Sequence, residues 1–218
     1  VLPGTPSPPE HREAGWEFER LAWKDGRVAV VGVDEVGRGA LAGPLVVAAV
    51  IFPSGSEMGG LRDSKQLPPG RRELLAGAIR ERAVGIALER IDPDVVDRIN
   101  VLEATLLGAS RVVSRIRPRP DLVLLDALRL PGCTVPQRQL VRGDRLSASV
   151  AAASIVAKVE RDRLMVEFDR SYPYYGFGRH KGYGTREHLE ALRRRGPSPI
   201  HRRTFLRSPS GTGNTTLF

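Results

Sequence analysis

The apolar positions of this chain fall into two rhythms, short unbroken β-branched runs and longer stretches with helical spacing. Val28–Val33 and Leu45–Phe52 are runs of the first kind. The glycine-studded segment Gly37–Pro44 between them is so short that it predicts antiparallel neighbours. Arg71–Arg82, behind a Pro-Pro-Gly start, predicts a helix, and Val84–Glu89 a third strand. Asp92–Arg115 is predicted to be largely helical, with Pro93 in a first turn where its missing N–H leaves no bond unmade. Leu122–Leu125 contains no polar residue, as a strand covered on both faces requires, and Gln137–Val141 predicts a fifth, edge strand. Ser147–Arg163 predicts a long helix whose centre, SASVAAASIVAKV, is full of small residues that permit close packing. Thr185 caps a last predicted helix that runs to Arg194. The order implies an α/β fold, a five-stranded mixed sheet flanked by helices with a C-terminal helical extension.

Residues 1–27 are expected to be a flexible lead, because their first half is rich in Pro, Gly and charge, and residues 207–218 a flexible tail. Residues 28–206 contain no repeat and no linker that would divide them, which implies a single domain. Hydrophobic content of 41% and charged content of 27% are ordinary for a globular protein, and no apolar run approaches the ~20 residues of a membrane span. The first residues lack the basic start and apolar centre of a signal peptide, so a cytoplasmic location is expected. Cys133 is the only cysteine, which excludes an internal disulfide and a cysteine-based zinc site. The net charge of +9 favours a polyanionic partner but leaves nucleic-acid binding open by itself. Nothing calls for more than a monomer.

Acidic residues stand where the apolar runs end. Asp34 and Glu35 close the first run and lead into Gly37-Arg38-Gly39, Asp126 closes LVLLD, and Asp144 lies three residues before Ser147, the expected helix cap. One acid after a buried strand reads as a turn residue or cap. Their joint pattern reads as a site, because strand ends of an open α/β sheet converge on one crevice. Adjacent strand residues point to opposite faces, so Asp34 and Glu35 meet in one site if a turn begins at Glu35. Four acids with no neighbouring His or Cys are the donor set of a hard divalent cation, Mg²⁺ or Mn²⁺, and not of zinc.

The stretch GVDEVGRGALAGPLVVAAV at 32–50 resembles the N-terminal signature of ribonuclease HII, the type 2 ribonuclease H of bacteria. RDSKQL at 62–67, LVLLDA at 122–127, VRGDRLSASVAAASIVAKVERDR at 141–163, YPYYGFGRHKGYGTREH at 172–188 and IHRRTF at 200–205 resemble its further segments, in order. Ala127 departs from the pattern, since the family usually has Gly after that aspartate. The resemblance implies a ribonuclease H-like fold. It further implies an endonuclease that hydrolyses the RNA strand of RNA–DNA hybrids and nicks 5′ of single ribonucleotides in duplex DNA. The products would carry 5′-phosphate and 3′-hydroxyl ends. Asp34, Glu35, Asp126 and Asp144 would be the catalytic residues and the ligands of two ions, Mn²⁺ or Mg²⁺, in an in-line displacement.

By the same resemblance the Gly37-Arg38-Gly39 backbone contacts the 2′-hydroxyl, Lys65 lies near substrate phosphates, and Tyr183 stacks on the sugar beside the junction. Lys158 either extends that cationic wall or pairs with Asp162 at i+4. His180, Lys181 and His188 are neighbours without an individual role. A non-catalytic binding protein on a degenerate nuclease scaffold would have lost one of the four acids, and all four are present. Ribonuclease HIII resembles this core but carries a larger N-terminal domain, for which the 27 residues ahead of the first strand are expected to be too few. A basic structural protein would account for the charge but not for the acids. At the tail, Leu217-Phe218 resembles the Leu-Phe ending of peptides that dock on bacterial sliding clamps, with Asn214 where Gln is usual, which implies at most a weak clamp contact.

Overall fold

Five strands, β1 (Val30–Val36), β2 (Leu45–Ile51), β3 (Gly85–Ile91), β4 (Leu122–Asp126) and β5 (Gln137–Leu140), form one sheet in the order β3-β2-β1-β4-β5. This is a computed structural model, and it describes residues 13–206. The pairs β1–β2 and β2–β3 are antiparallel, whereas β4 lies parallel to both β1 and β5. Every residue of β2 is buried, because helices cover both faces of the sheet. On one face α2 (Pro69–Arg82) and α6 (Ala148–Ser171) pack against Val36, Val46 and Val50. On the other, α4 (Val101–Arg115) packs against Val31, Val33, Val47 and Leu125.

The small residues of α6 serve the close packing that the sequence predicts. Ala148 and Ala151–Ala153 are fully buried, and the helix crosses β1 at Gly32, where an added Cβ would stand 2.1 Å from the carbonyl carbon of Ser149. Side-chain volume at that crossing is excluded by backbone on both sides.

Four boundaries differ from the sequence expectation, each for a local reason. β1 continues through Val36, still paired with Val46, and the chain turns only at Gly37, whose φ of +101° suits glycine alone. The helical stretch after Asp92 is two helices, α3 (Pro93–Ile99) and α4, parted at Asn100 with φ +67°. The Asn100 carboxamide oxygen accepts from the amides of Leu102 (2.9 Å) and Glu103 (3.1 Å), so the break is also the cap of α4. α6 runs past Arg163 to Ser171, since nothing interrupts it before Pro173. Finally, α1 (Glu17–Lys24) lies within the stretch expected to be a flexible lead. Trp16 holds it to the body, edge-on to Phe52 with ring centroids 5.2 Å apart. The expected flexible segments 1–12 and 207–218 lie outside the described residues.

The C-terminal extension comprises α7 (Phe177–His180), α8 (Arg186–Arg195) and a 3₁₀ turn at Arg203–Leu206, gathered around Tyr175, Phe177, Leu192 and Ile200. Among the described residues no helix is long and apolar enough to cross a membrane.

Gly32→Ala is expected to destabilise the protein by about 2 kcal/mol or more, because two backbones would have to part to admit one methyl group. Urea unfolding checks this, and an unchanged midpoint would mean that α6 can lift from β1 freely.

Candidate active site

In the parallel pairing of β1 with β4, Val33 stands level with Leu125, so the residues that follow, Asp34 and Asp126, lie side by side at the strand ends. Strand alternation directs Asp34 to the α6 face and Glu35 to the α4 face. Both nevertheless line one cleft of about 350 Å³, together with Asp126 and Asp144. The expected turn at Glu35 is not needed, because the cleft lies across the end of the sheet and receives side chains from both faces. Asp144 comes from the short helix α5 (Gly143–Leu146), which the Gly143 amide ties to β4 by donating to Asp126 Oδ1 at 2.8 Å.

Gly37, Arg38, Gly39, Lys65 and Tyr183 line the same cleft, along with Ser64 and Ser154. Lys158 does not. It faces a separate cleft of about 530 Å³ beside Arg72, and its ammonium pairs with Asp162, the alternative that the spacing left open. A third cleft of about 560 Å³ is lined by Arg117, Arg119 and Cys133. Neither larger cleft contains any of the four acids, so volume is a poor guide here. Ala127, the departure from the family pattern, has φ +51°, a left-handed conformation that costs an alanine ~1–2 kcal/mol more than a glycine.

Concentrated negative charge governs the cleft. Burial first, and then the neighbouring charges of Glu35 and Asp144, raise the Asp34 carboxyl well above its ordinary range, against a hydrogen bond from Ser154. Glu35 is raised by burial and held back by the Arg38 guanidinium, 3.3 Å away. Asp144 is pushed from 3.8 to about 6 by burial and then by Asp63 and Asp126. The positive charge nearby does not offset these shifts, and the four acids offer only carboxylate oxygens, which fits a hard divalent cation. Among the described residues no three potential ligands close into a ready-made cage. Mg²⁺-like ions need none, since they keep several waters and take the remaining oxygens from substrate phosphates.

Several supporting residues escape the sequence reading. Arg161, fully buried, donates to the carbonyls of Pro44 (2.9 Å), Ala42 (3.1 Å) and Lys181 (2.8 Å). Arg202, also fully buried, donates to those of Gly43 and Arg38, both at 2.9 Å. Together they grip the 37–44 loop, and Arg161 lies 5.3 Å from the Tyr183 ring centroid. In sequence they look like any other arginine of a basic chain. Glu19 is buried in α1, where its carboxylate accepts from the Ser147 hydroxyl (2.6 Å) and the Ser149 amide (2.9 Å) at the start of α6. Burial raises its pKa. Its only signal was an acidic residue among the aromatics Trp16, Phe18 and Trp23.

A family model described as Ribonuclease HII matches residues 31–208. A ribonuclease HII of Desulfitobacterium hafniense is 50% identical over 196 residues, covering 90% of this chain and 75% of that protein. Among solved structures, the ribonuclease H2 of Pyrococcus horikoshii aligns with a TM-score of 0.68 at 27% identity, covering 80% of this chain and 92% of that one. The ribonuclease HII of Archaeoglobus fulgidus, solved in a complex with PCNA, aligns at 0.66 with 26% identity, over 85% and 98%. The mixed five-stranded sheet described above is thus the ribonuclease H-like fold.

The raised Asp144 carboxyl has a consequence for stability. A group whose folded pKa lies above its unfolded value favours the fold while protonated, and that contribution is lost as pH rises from about 4 through about 6. In chelator, Asp144→Asn is therefore expected to match the wild type in melting temperature at pH 4 and to exceed it above pH 6. The gain should be ~2–4 °C for each kcal/mol of relieved repulsion. Calorimetry across that range checks this, and a pH-independent offset between the two proteins would contradict it.

Proposed function

This chain belongs to the ribonuclease HII family, and we propose that it nicks duplex DNA on the 5′ side of a single embedded ribonucleotide as well as cutting the RNA strand of RNA–DNA hybrids. The reading is carried by one juxtaposition: four carboxylates share a cleft with a glycine loop and a half-buried tyrosine. Asp34, Glu35, Asp126 and Asp144 would hold two divalent cations, Mn²⁺ or Mg²⁺. When bound, these supply neutralisation of the phosphoryl charge and activation of water for an in-line displacement. The new bond joins water oxygen to phosphorus, the P–O3′ bond breaks, and the ends are a 5′-phosphate and a 3′-hydroxyl.

Selectivity for a ribonucleotide needs a group that meets the 2′-hydroxyl. A site built to hydrogen-bond a hydroxyl rejects the analogue lacking it, because its own polar groups are left unpaired. The 37–39 backbone suits that part. At Gly37 conformation and the adjacent Arg161 both exclude a side chain, whereas at Gly39 a Cβ would meet no protein atom within 4 Å. Nothing internal demands glycine at 39, which leaves room for a sugar to approach the amides. Tyr183, backed by the Arg161 guanidinium, offers a flat face for the neighbouring sugar. Exposed Arg38 and Lys65 at the rim, and the net charge of +9, support phosphate contacts. The physiological setting in this reading is cytoplasmic ribonucleotide excision repair. A sliding clamp is a proposed partner, since the Archaeoglobus relative was solved with PCNA. The contact would be Leu217-Phe218, outside the described residues.

Nicking of a duplex with one ribonucleotide, in Mg²⁺ or Mn²⁺, tests the reading directly: one cut 5′ of the ribonucleotide is expected, and none in all-DNA duplex. Asp126→Asn should fold normally, since an amide oxygen can still accept from Gly143. Its turnover should fall on the order of 10³-fold if ~4 kcal/mol of transition-state stabilisation is lost. Retention of wild-type turnover would remove Asp126 from the catalytic set. For the clamp, truncation after Ser208 is expected to weaken binding measured by calorimetry. Equal affinity of the truncated and full chains would dispose of the tail contact.

A further inference from the structure

We propose that His188 and His201 form a hydrogen-bonded relay that sets the position of Tyr183, making them positioning residues for junction selectivity; this rests on Tyr183 being the sugar-facing group. Both imidazoles are buried, His188 completely. The Ser198 amide donates to His201 Nδ1 at 2.9 Å, so that nitrogen carries no proton. Neutral His201 is therefore protonated on Nε2, which stands 3.0 Å from His188 Nε2 and must donate to it. The proton of His188 is then on Nδ1, 2.9 Å from the Tyr183 carbonyl, which can only accept. The Tyr183 carbonyl at one end can only accept and the Ser198 amide at the other can only donate. With both rings neutral the direction therefore admits one solution, in which the Ser198 hydroxyl, 2.8 Å from His201 Nδ1, donates as well. Burial, the main cause, lowers both histidines to about 4, in keeping with neutral rings.

The third buried histidine has a separate place. His180 Nδ1 accepts from the Gly182 amide (3.2 Å), its Nε2 donates to the Tyr175 carbonyl (2.7 Å), and its ring stacks on His188 at 4.3 Å. Every ring nitrogen of the three is thus engaged within the protein, which leaves no lone pair for a metal.

The relay links two pieces that must agree in position. Tyr183 sits between glycines. The Gly182 carbonyl accepts from the amides of Leu41 (2.8 Å) and Ala42 (3.2 Å), which ties the N-terminal side of the tyrosine to that segment. The relay holds the tyrosine's own carbonyl on the other side. The Tyr183 carbonyl accepts from the Thr185 amide (2.8 Å) as well as from His188. At the other end His201 bridges to Ala42, and the Arg202 amide donates to the Leu41 carbonyl at 2.8 Å. The tyrosine is thereby registered against the segment that follows Gly37–Gly39, the other proposed contact of the ribonucleotide.

The test uses His188→Leu, which removes the donor, and His188→Asn, whose amide N–H can occupy the place of Nδ1–H. On a duplex with one ribonucleotide, His188→Leu is expected to lose kcat/KM by about tenfold, the worth of one buried hydrogen bond, and His188→Asn to recover most of it. On a long RNA–DNA hybrid, where many registers can bind, the loss should be clearly smaller. Tyr183→Ala combined with His188→Leu should be no worse than Tyr183→Ala alone. Equal losses on both substrates, or additive losses in the double variant, would overturn the relay. If Tyr183→Ala impairs junction cutting and His188→Leu does not, the relay fails while the tyrosine assignment stands. If Tyr183→Ala cuts both substrates at wild-type rates, that assignment fails and takes this proposal with it. Should His188→Leu not fold, ¹⁵N spectra of the wild-type imidazoles still decide: His188 is expected as the neutral Nδ1–H tautomer and His201 as Nε2–H at pH 7. A charged His188, or one protonated on Nε2, refutes the relay.

Discussion

The closeness with which α6 crosses β1 at Gly32 organises everything near the cleft. Because backbone meets backbone there, the helix has one depth and no freedom to shift along its axis. Three residues spaced by seven, Ser147, Ser154 and Arg161, then fall along one side of it, together spanning about 21 Å. Ser147 caps the helix just after Asp144, Ser154 lies beside Asp34, and Arg161 grips the loop that carries Gly37–Gly39. A single rigid element thus ties the segment of Asp144 to the end of β1 and to the loop that follows it. Sheet and helix could each tolerate local variation in the core, but the relative position of these three contacts could not survive a change in the crossing.

The same construction explains how a group of like charges is kept together. Burial and mutual repulsion both disfavour ionised Asp34, Glu35 and Asp144. Little neutralises them within the protein: Arg38 engages Glu35, and exposed Lys65 lies at the rim. What holds the acids is covalent attachment to strand ends and to α5, whose own position is maintained by the Gly143–Asp126 bond and by Glu19 at the cap of α6. Hydrophobic packing on both faces of β2 supplies the free energy that offsets the repulsion. An acidic cluster assembled in this way favours an entering cation, because only the Arg38 contact with Glu35 competes with it inside the cleft.

Most of the sheet was legible from the chain because β1, β2 and β4 are short apolar runs bounded by glycine, proline or an acid. Antiparallel β1–β2 followed from eight connecting residues, Gly37–Pro44, and the buried β4 from four consecutive aliphatics. Asp34, Glu35 and Asp126 were legible for the same reason, as acids at the ends of apolar runs, whereas Asp144 stood out by its place just before the Ser147 cap. What escaped depended on partners remote in sequence. Glu19 is buried because Ser147 and Ser149 are there to donate, 128 and 130 residues away. Arg161 and Arg202 differ from the surface arginines only in finding carbonyls of the 38–44 segment. Asn100 was invisible as a break because asparagine within a helical pattern carries little penalty until its side chain finds a cap to make.

The cleft therefore has two supports of different chemistry. The acids stand on the sheet and α5, held chiefly by packing, whereas the glycine loop and Tyr183 are hung from hydrogen bonds to carbonyls. Arg161 joins them by donating to both the 42–44 segment and Lys181, two residues before Tyr183. A lysine could not replace it, since one ammonium cannot reproduce bonds directed from three nitrogens of a planar group to three separate carbonyls. Arg202 and the buried histidines repeat the pattern from the C-terminal side, with neutral acceptors throughout. Neutral acceptors matter here, because a carboxylate in those positions would add to the negative charge that the acids already concentrate. Directed donors on uncharged carbonyls let the fold fix a loop beside an anionic cleft without making that cleft more anionic.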